Sequence, residues 1–129
     1  MIMNPSDRKY TKSHEWIKVE DGEAVVGITD YAQEAMGDVT FVELPSVGAS
    51  FPKAGDCGVV ESVKAASDLY CPVDGTIADV NASLENAPEL INQDPYEDGW
   101  LLKLRDFDES QVAELMTADE YKASLDQDS

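Results

Sequence analysis

Only two cysteines and one histidine occur in this 129-residue chain, Cys57, Cys71 and His14. A four-ligand structural zinc site needs more thiols and imidazoles than these, and no C-x-x-C pair is present for dithiol chemistry. Any redox function must therefore be borrowed from a bound group. Ser-His-Asp or Cys-His catalysis would have to rest on His14 alone, which stands beside Glu15 and Trp16 in a predicted strand, where a partly buried structural role is the ordinary outcome. Positive charge is scarce as well. Nine Lys plus Arg against 27 Asp plus Glu give a net charge of −18, which argues against nucleic acid or an anionic membrane as a partner and favours basic docking surfaces on other proteins. No apolar run reaches the roughly 18 residues of a membrane span. Met1 to Tyr10 lack both the apolar core of a signal peptide and the Arg-rich pattern of a transit peptide, so a cytoplasmic location is expected. The glycines follow neither a phosphate-loop nor a dinucleotide pattern, so no nucleotide site is expected.

What the chain does have is a succession of short strand signals. Its length fits one domain, 1–129, with a modest core and little room for a deep substrate pocket. Residues 1–12 are polar and read as irregular. His14 to Val19 and Glu23 to Ile28 alternate around Asp21-Gly22, a strong hairpin signal. Thr29-Asp30 then offers an N-cap for Tyr31 to Met36, with Gly37 as a left-handed C-terminal residue, and strand resumes from Asp38 to Leu44. Further on, Thr76 to Val80 and Trp100 to Leu104 read as strands, and Asn86 to Asn92 as a helical turn. In the helical C-terminal segment, 108–126, Asp108 caps a helix from Glu109 to Met116, and Thr117 with Glu120 forms a capping box for a second.

The central stretch is C-G-V-V-E-S-V-K-A-A-S-D-L-Y-C-P-V-D-G-T, from Cys57 to Thr76. Val59, Val60 and Val63 precede Lys64, and Leu69, Tyr70 and Val73 follow it, with Gly58 read as lying just before the first strand. The pattern predicts a hairpin whose tip is Lys64. A lysine held out on a tight turn is the arrangement a second enzyme needs in order to acylate its amine. Cys57 and Cys71 lie seven residues either side of Lys64, on strands that a hairpin can bring together, and free thiols are expected because nothing points to an oxidising compartment.

With Glu61 three residues before Lys64 and Gly75 eleven after it, this stretch resembles the lipoyl-attachment segment of the glycine cleavage system H-protein family. G-I-T-D-Y-A-Q-E-A-M-G-D-V-T-F-V-E-L-P-S-V-G, from Gly27 to Gly48, is a second and more specific match, and N-Q-D-P-Y-E-D-G-W-L-L-K-L a third, with Glu97 where the family commonly has glycine. Biotin carriers usually read A-M-K-M, and lipoyl domains of 2-oxoacid dehydrogenases usually place Asp before the lysine. Here Val63 and Ala65 flank Lys64, so the H-protein form fits best.

The resemblance, running from about Tyr10 to Leu125, implies a mainly β barrel-sandwich hybrid with short peripheral helices and a helical C-terminus. It implies a non-catalytic, monomeric bacterial carrier with lipoate bound covalently to Lys64 as N6-lipoyllysine. Such a carrier shuttles the aminomethyl group of glycine from the decarboxylating glycine dehydrogenase to the aminomethyltransferase, with dihydrolipoamide dehydrogenase reoxidising the arm. A lipoate ligase or lipoyltransferase would load it, with Glu61 in recognition of that enzyme or of a partner. Glu15 and Asp68 occupy the positions that line an arm-binding cleft in the family. Two other readings of the residues stand beside this one: a lipoyl relay donor to 2-oxoacid dehydrogenases, and an acidic binding module whose Lys64 is never modified.

Overall fold

A computed structural model describes residues 3–128. The elements are β1 (Lys9–Tyr10), β2 (Glu15–Glu20), β3 (Glu23–Ile28), α1 (Asp30–Met36), β4 (Val39–Glu43), β5 (Ser50–Phe51), β6 (Asp56–Ser62), β7 (Ala66–Tyr70) and β8 (Gly75–Val80). A 3-10 turn (Ala82–Glu85), α2 (Leu90–Gln93), β9 (Leu102–Arg105), α3 (Glu109–Glu114) and α4 (Ala118–Asp128) complete the chain. Two antiparallel sheets result, one of six strands in the order β1-β2-β3-β9-β8-β5 and one of three in the order β4-β6-β7.

Both sheets feed one apolar core. Ile17, Ala24, Val26, Ile77, Leu102 and Leu104 come from the larger sheet, and Val39, Cys57, Val60 and Leu69 from the smaller. Alternate residues point to the interior in β3, through Ala24, Val26 and Ile28, and in β9, through Leu102 and Leu104, as the pleat requires. Asp21 and Gly22 both have positive φ, the backbone that a two-residue turn between right-twisted strands demands, so β2 and β3 pair without slippage from Glu15↔Ile28 to Glu20↔Glu23.

A second, aromatic cluster fastens the C-terminus to the larger sheet. Tyr10 and Tyr121 stack with centroids 4.8 Å apart and planes 7° from parallel, and Trp16 joins them in full burial. The Arg8 guanidinium lies 4.6 Å from the Trp16 ring and donates to the Tyr96 carbonyl at 2.9 Å. This cluster explains why the polar N-terminal stretch is not wholly irregular. Lys9–Tyr10 forms a strand on β2 because Tyr10 has a buried place to go.

Other boundaries also differ from the sequence expectation. Gly58 lies within β6, and Val73 lies beyond β7 in the following turn. His14 precedes β2, in a left-handed turn with φ 70°. Of the helical turn expected over 86–92 only Leu90 to Asn92 are helical, within α2, and 86–89 lie between the 3-10 turn and that helix. In the C-terminal segment α3 stops at Glu114, because Leu115 is extended and the Met116 backbone bridges to Tyr10. The capping box is present, with Thr117 N–H donating to Glu120 at 2.9 Å and Glu120 N–H to Thr117 Oγ1 at 3.2 Å.

Candidate functional site

β6 and β7 form the hairpin, with Glu61 opposite Ala66 as the last pair before the turn Ser62-Val63-Lys64-Ala65. Ser62 organises that turn. Its N–H donates to the Ala65 carbonyl at 2.8 Å, and its hydroxyl oxygen accepts from the Lys64 and Ala65 N–H groups, each at 3.2 Å. Lys64 is exposed on a turn whose Ser62, Lys64 and Ala65 N–H groups are satisfied within it.

The turn is anchored from below. Val63 N–H donates to the Asp38 carbonyl at 3.0 Å, and the stem of Lys64 passes over Gly37, where a Cβ would lie 3.3 Å from Lys64 Cε. Gly37 has φ 79° and ψ −160°, a region open essentially to glycine alone and not the left-handed helical conformation expected from sequence. Asn92 holds this corner. Its side chain accepts from Val39 N–H at 2.8 Å and donates to the Gly37 carbonyl at 2.9 Å. Nothing in the sequence marks Asn92 as part of the site, because its partners lie 53 and 55 residues away.

Beside the hairpin is a pocket of about 170 Å³, lined by α1 through Tyr31 and Met36, by Val60 and Leu69, and by Glu15 and Asp68. The structure thus brings the two acids to one cavity, but in different states. Glu15 is only 2 % exposed. Its carboxylate accepts from Thr11 Oγ1 at 2.6 Å and from Ser13 Oγ at 2.5 Å. Burial pushes its carboxyl above the ordinary carboxylate range, and those hydrogen bonds oppose the rise. Asp68 is exposed at the rim, where its carboxylate accepts a long, 3.5 Å hydrogen bond from the Tyr70 hydroxyl. Glu61 is exposed on β6, opposite Phe41 on one side and Ala66 on the other.

His14 forms part of the same wall. Its Nδ1 lies 2.7 Å from the Tyr121 hydroxyl, which is also 2.8 Å from Thr29 Oγ1, the N-cap of α1. One phenol therefore ties α4, the turn before β2 and the start of α1 together. Cys57 and Cys71 are buried and free, and Cys57 is held well above the usual thiol range by hydrogen bonding with its neighbour Cys71 and by burial. Among the described residues no group of three or more His, Cys, Asp or Glu is placed to hold a metal, and no helix is long and apolar enough to cross a membrane.

Comparison with known proteins accounts for this arrangement. The family model described as glycine cleavage H-protein matches residues 8–128. The chain belongs to the glycine cleavage H-protein family. Within it, the chain is 55 % identical over 122 residues to the glycine cleavage system H protein of Alcanivorax borkumensis, covering 95 % of each chain. It is 50 % identical to that of Listeria innocua, covering 95 % of this chain and 98 % of the relative. The crystal structure of a glycine cleavage system H protein from Mycobacterium marinum superposes with a TM-score of 0.85 at 43 % identity, covering 94 % of this chain and 98 % of that one. The function is that of the H-protein family, a lipoyl carrier in the glycine cleavage system. The two antiparallel sheets are accordingly the barrel-sandwich hybrid of that family, and neither sheet closes into a barrel.

Proposed function

We propose that Lys64 is the lysine that carries the lipoyl group, and that the chain acts over 1–129 as one non-catalytic carrier domain. The observation that carries this reading is the pairing of an exposed lysine on a pinned turn with a pocket walled by Val60 and Leu69 of the two strands that lead into and out of that turn. The residues fit the group. Gly37 leaves the lysine stem free of a neighbouring Cβ, and the pocket joins an apolar wall of Met36, Val60 and Leu69 to a carboxyl at Glu15. Bound at Lys64, a lipoyl group supplies a cyclic disulfide able to accept electrons and a one-carbon amine.

The chain's own residues hold and shelter. Ser62 and Asp38 fix the direction in which the lysine leaves the fold, and α1 covers one side of the pocket against water. Glu15, oriented by Thr11 and Ser13, presents a carboxyl to any cationic amine that enters, a charge-assisted contact stronger than a neutral one. Asp68 at the rim adds a second carboxylate on the entry side. The partners are other components of the glycine cleavage system: the decarboxylating glycine dehydrogenase, the aminomethyltransferase and dihydrolipoamide dehydrogenase. A lipoate ligase or lipoyltransferase makes the modification. Tethering supplies the reacting group to each docked partner at mM-order effective concentration.

The test is reconstitution. Exchange of labelled bicarbonate into glycine by the decarboxylating dehydrogenase is expected only with lipoylated chain, and exchange supported equally by unmodified chain contradicts the reading.

A further inference from the structure

No step at Lys64 uses the two thiols of the chain, yet the fold holds them together. Leu69 and Cys71, two residues apart, both face the core. Cys71 is fixed across from Gly55, donating its N–H to the Gly55 carbonyl at 2.8 Å and accepting from Ala54 N–H at 2.7 Å. Cys57 lies two residues past Gly55 on the neighbouring strand. There the register slips, because Asp56 pairs with Tyr70 and Gly58 with Leu69, leaving Cys57 as the extra residue of a bulge. The slip decides where its side chain points. Cys57 and Val60 are both buried although three residues apart, a spacing that an unbroken strand would send to opposite faces. The bulge thus turns the Cys57 thiol inward, onto the side of Cys71, and the two thiols are hydrogen bonded to each other. Both are free.

The two residues differ in surroundings. Cys71 borders a pocket of about 450 Å³ with Glu15, Tyr70 and Leu115, and Cys57 one of about 360 Å³ with Glu43 and Phe51, so the pair lies beneath openings that admit a small oxidant. The hydrogen bond from Cys57 draws Cys71 below the usual thiol range, against burial and the carboxylates of Glu15 and Asp74, while the same bond and burial hold Cys57 above it. We propose that Cys57 and Cys71 form a redox-active dithiol whose substrate is a small hydroperoxide, with Cys71 as the attacking thiol and Cys57 as the resolving one. Cys71, as thiolate, attacks one peroxide oxygen. An S–O bond forms, the O–O bond breaks, and the departing oxygen takes the electron pair and the thiol proton, leaving a sulfenic acid and water or an alcohol. The Cys57 sulfur then attacks that of Cys71, the S–S bond forms, the S–O bond breaks, and water leaves with the Cys57 proton. The dithiol is oxidised and the peroxide reduced by the same electron pair. The product closes a loop with Lys64 at its middle and staples the base of the hairpin.

The test uses the full, unmodified chain, reduced and then exposed to hydrogen peroxide, with free thiols counted and peptides mapped. Both thiols are expected to be lost together, the peptides holding Cys57 and Cys71 to be joined within one chain, and dithiothreitol to restore both. Cys57→Ser is expected to stop at a sulfenic acid on Cys71 that dimedone traps, within about two-fold of the parental rate, whereas Cys71→Ser should slow loss of the remaining thiol about ten-fold or more. Because a serine in the core can loosen the fold, the parent is also oxidised across urea concentrations below its unfolding transition. A rate that stays level there is expected, since attack then needs no global opening. A rate that climbs in step with unfolding overturns the proposal. So does oxidation of the separate thiols with no bond between them, a disulfide formed between chains, or loss of Cys57 in Cys71→Ser at the parental rate.

Discussion

Lys64 passes over Gly37 at the end of α1, where a Cβ added at residue 37 would lie only 3.3 Å from Lys64 Cε. Gly37→Ala would force an L side chain into positive φ and press on the lysine stem. We expect a loss of about 1–3 kcal/mol in urea unfolding, the usual cost of such backbone strain. Acylation of Lys64 should slow at the same time. A variant as stable as the parent would show that the corner relaxes without cost.

Glu15 should make stability depend on pH in an unusual direction. Burial raises its carboxyl in the folded state above the unfolded value of about 4.3, so the folded protein binds the proton more tightly. Its contribution is fully present below the unfolded pKa and is lost as pH rises through the folded one. Glu15→Gln, which never ionises, is therefore expected to be more stable than the parent at pH 7 and to lose that advantage near pH 4. Thermal unfolding across this range measures it, and an advantage that grows toward acid would contradict the assignment.

Tyr121 is a second lever on the pocket. Removing its hydroxyl leaves His14 Nδ1 and Thr29 Oγ1 without the contacts of 2.7 and 2.8 Å that now join them to α4. Tyr121→Phe should cost about 1–2 kcal/mol, and hydrogen exchange should quicken in α1 while the core strands β3 and β9 stay protected. Uniform loosening of every element would instead mark Tyr121 as an ordinary core residue.

The two pocket acids should differ once the carrier is loaded with its one-carbon amine. Buried, hydrogen-bonded Glu15 faces a cation out of water, where a charge-assisted bond is strong, whereas Asp68 is exposed and screened. Formaldehyde release from the isolated loaded carrier is expected to rise more in Glu15→Ala than in Asp68→Ala, at unchanged lipoylation. Equal release from the parent and both variants would remove the protective role.

Local signals in the sequence carried much of this. The Asp21-Gly22 turn, the Thr29 cap, the Thr117–Glu120 box and the lysine hairpin each depend on residues within a few positions of one another, and each appears in the fold. What was not legible depends on long-range partners. Tyr10 forms a strand because Tyr121 and Trp16 receive it, Asn92 reaches back to Gly37, and His14 leaves its expected strand to meet Tyr121. Glu15 could be placed near the cleft by resemblance, but its burial depends on Thr11, Ser13 and the edge of β7 closing around it.

The central claim is that one lysine of this chain receives lipoate. Incubation of the unmodified chain with a lipoate ligase, followed by peptide mapping, should find the added mass on Lys64 and on none of the lysines at 9, 12, 18, 53, 103 and 122, and Lys64→Arg should stay unmodified. Modification mainly at another lysine, or full modification of Lys64→Arg, would contradict the account.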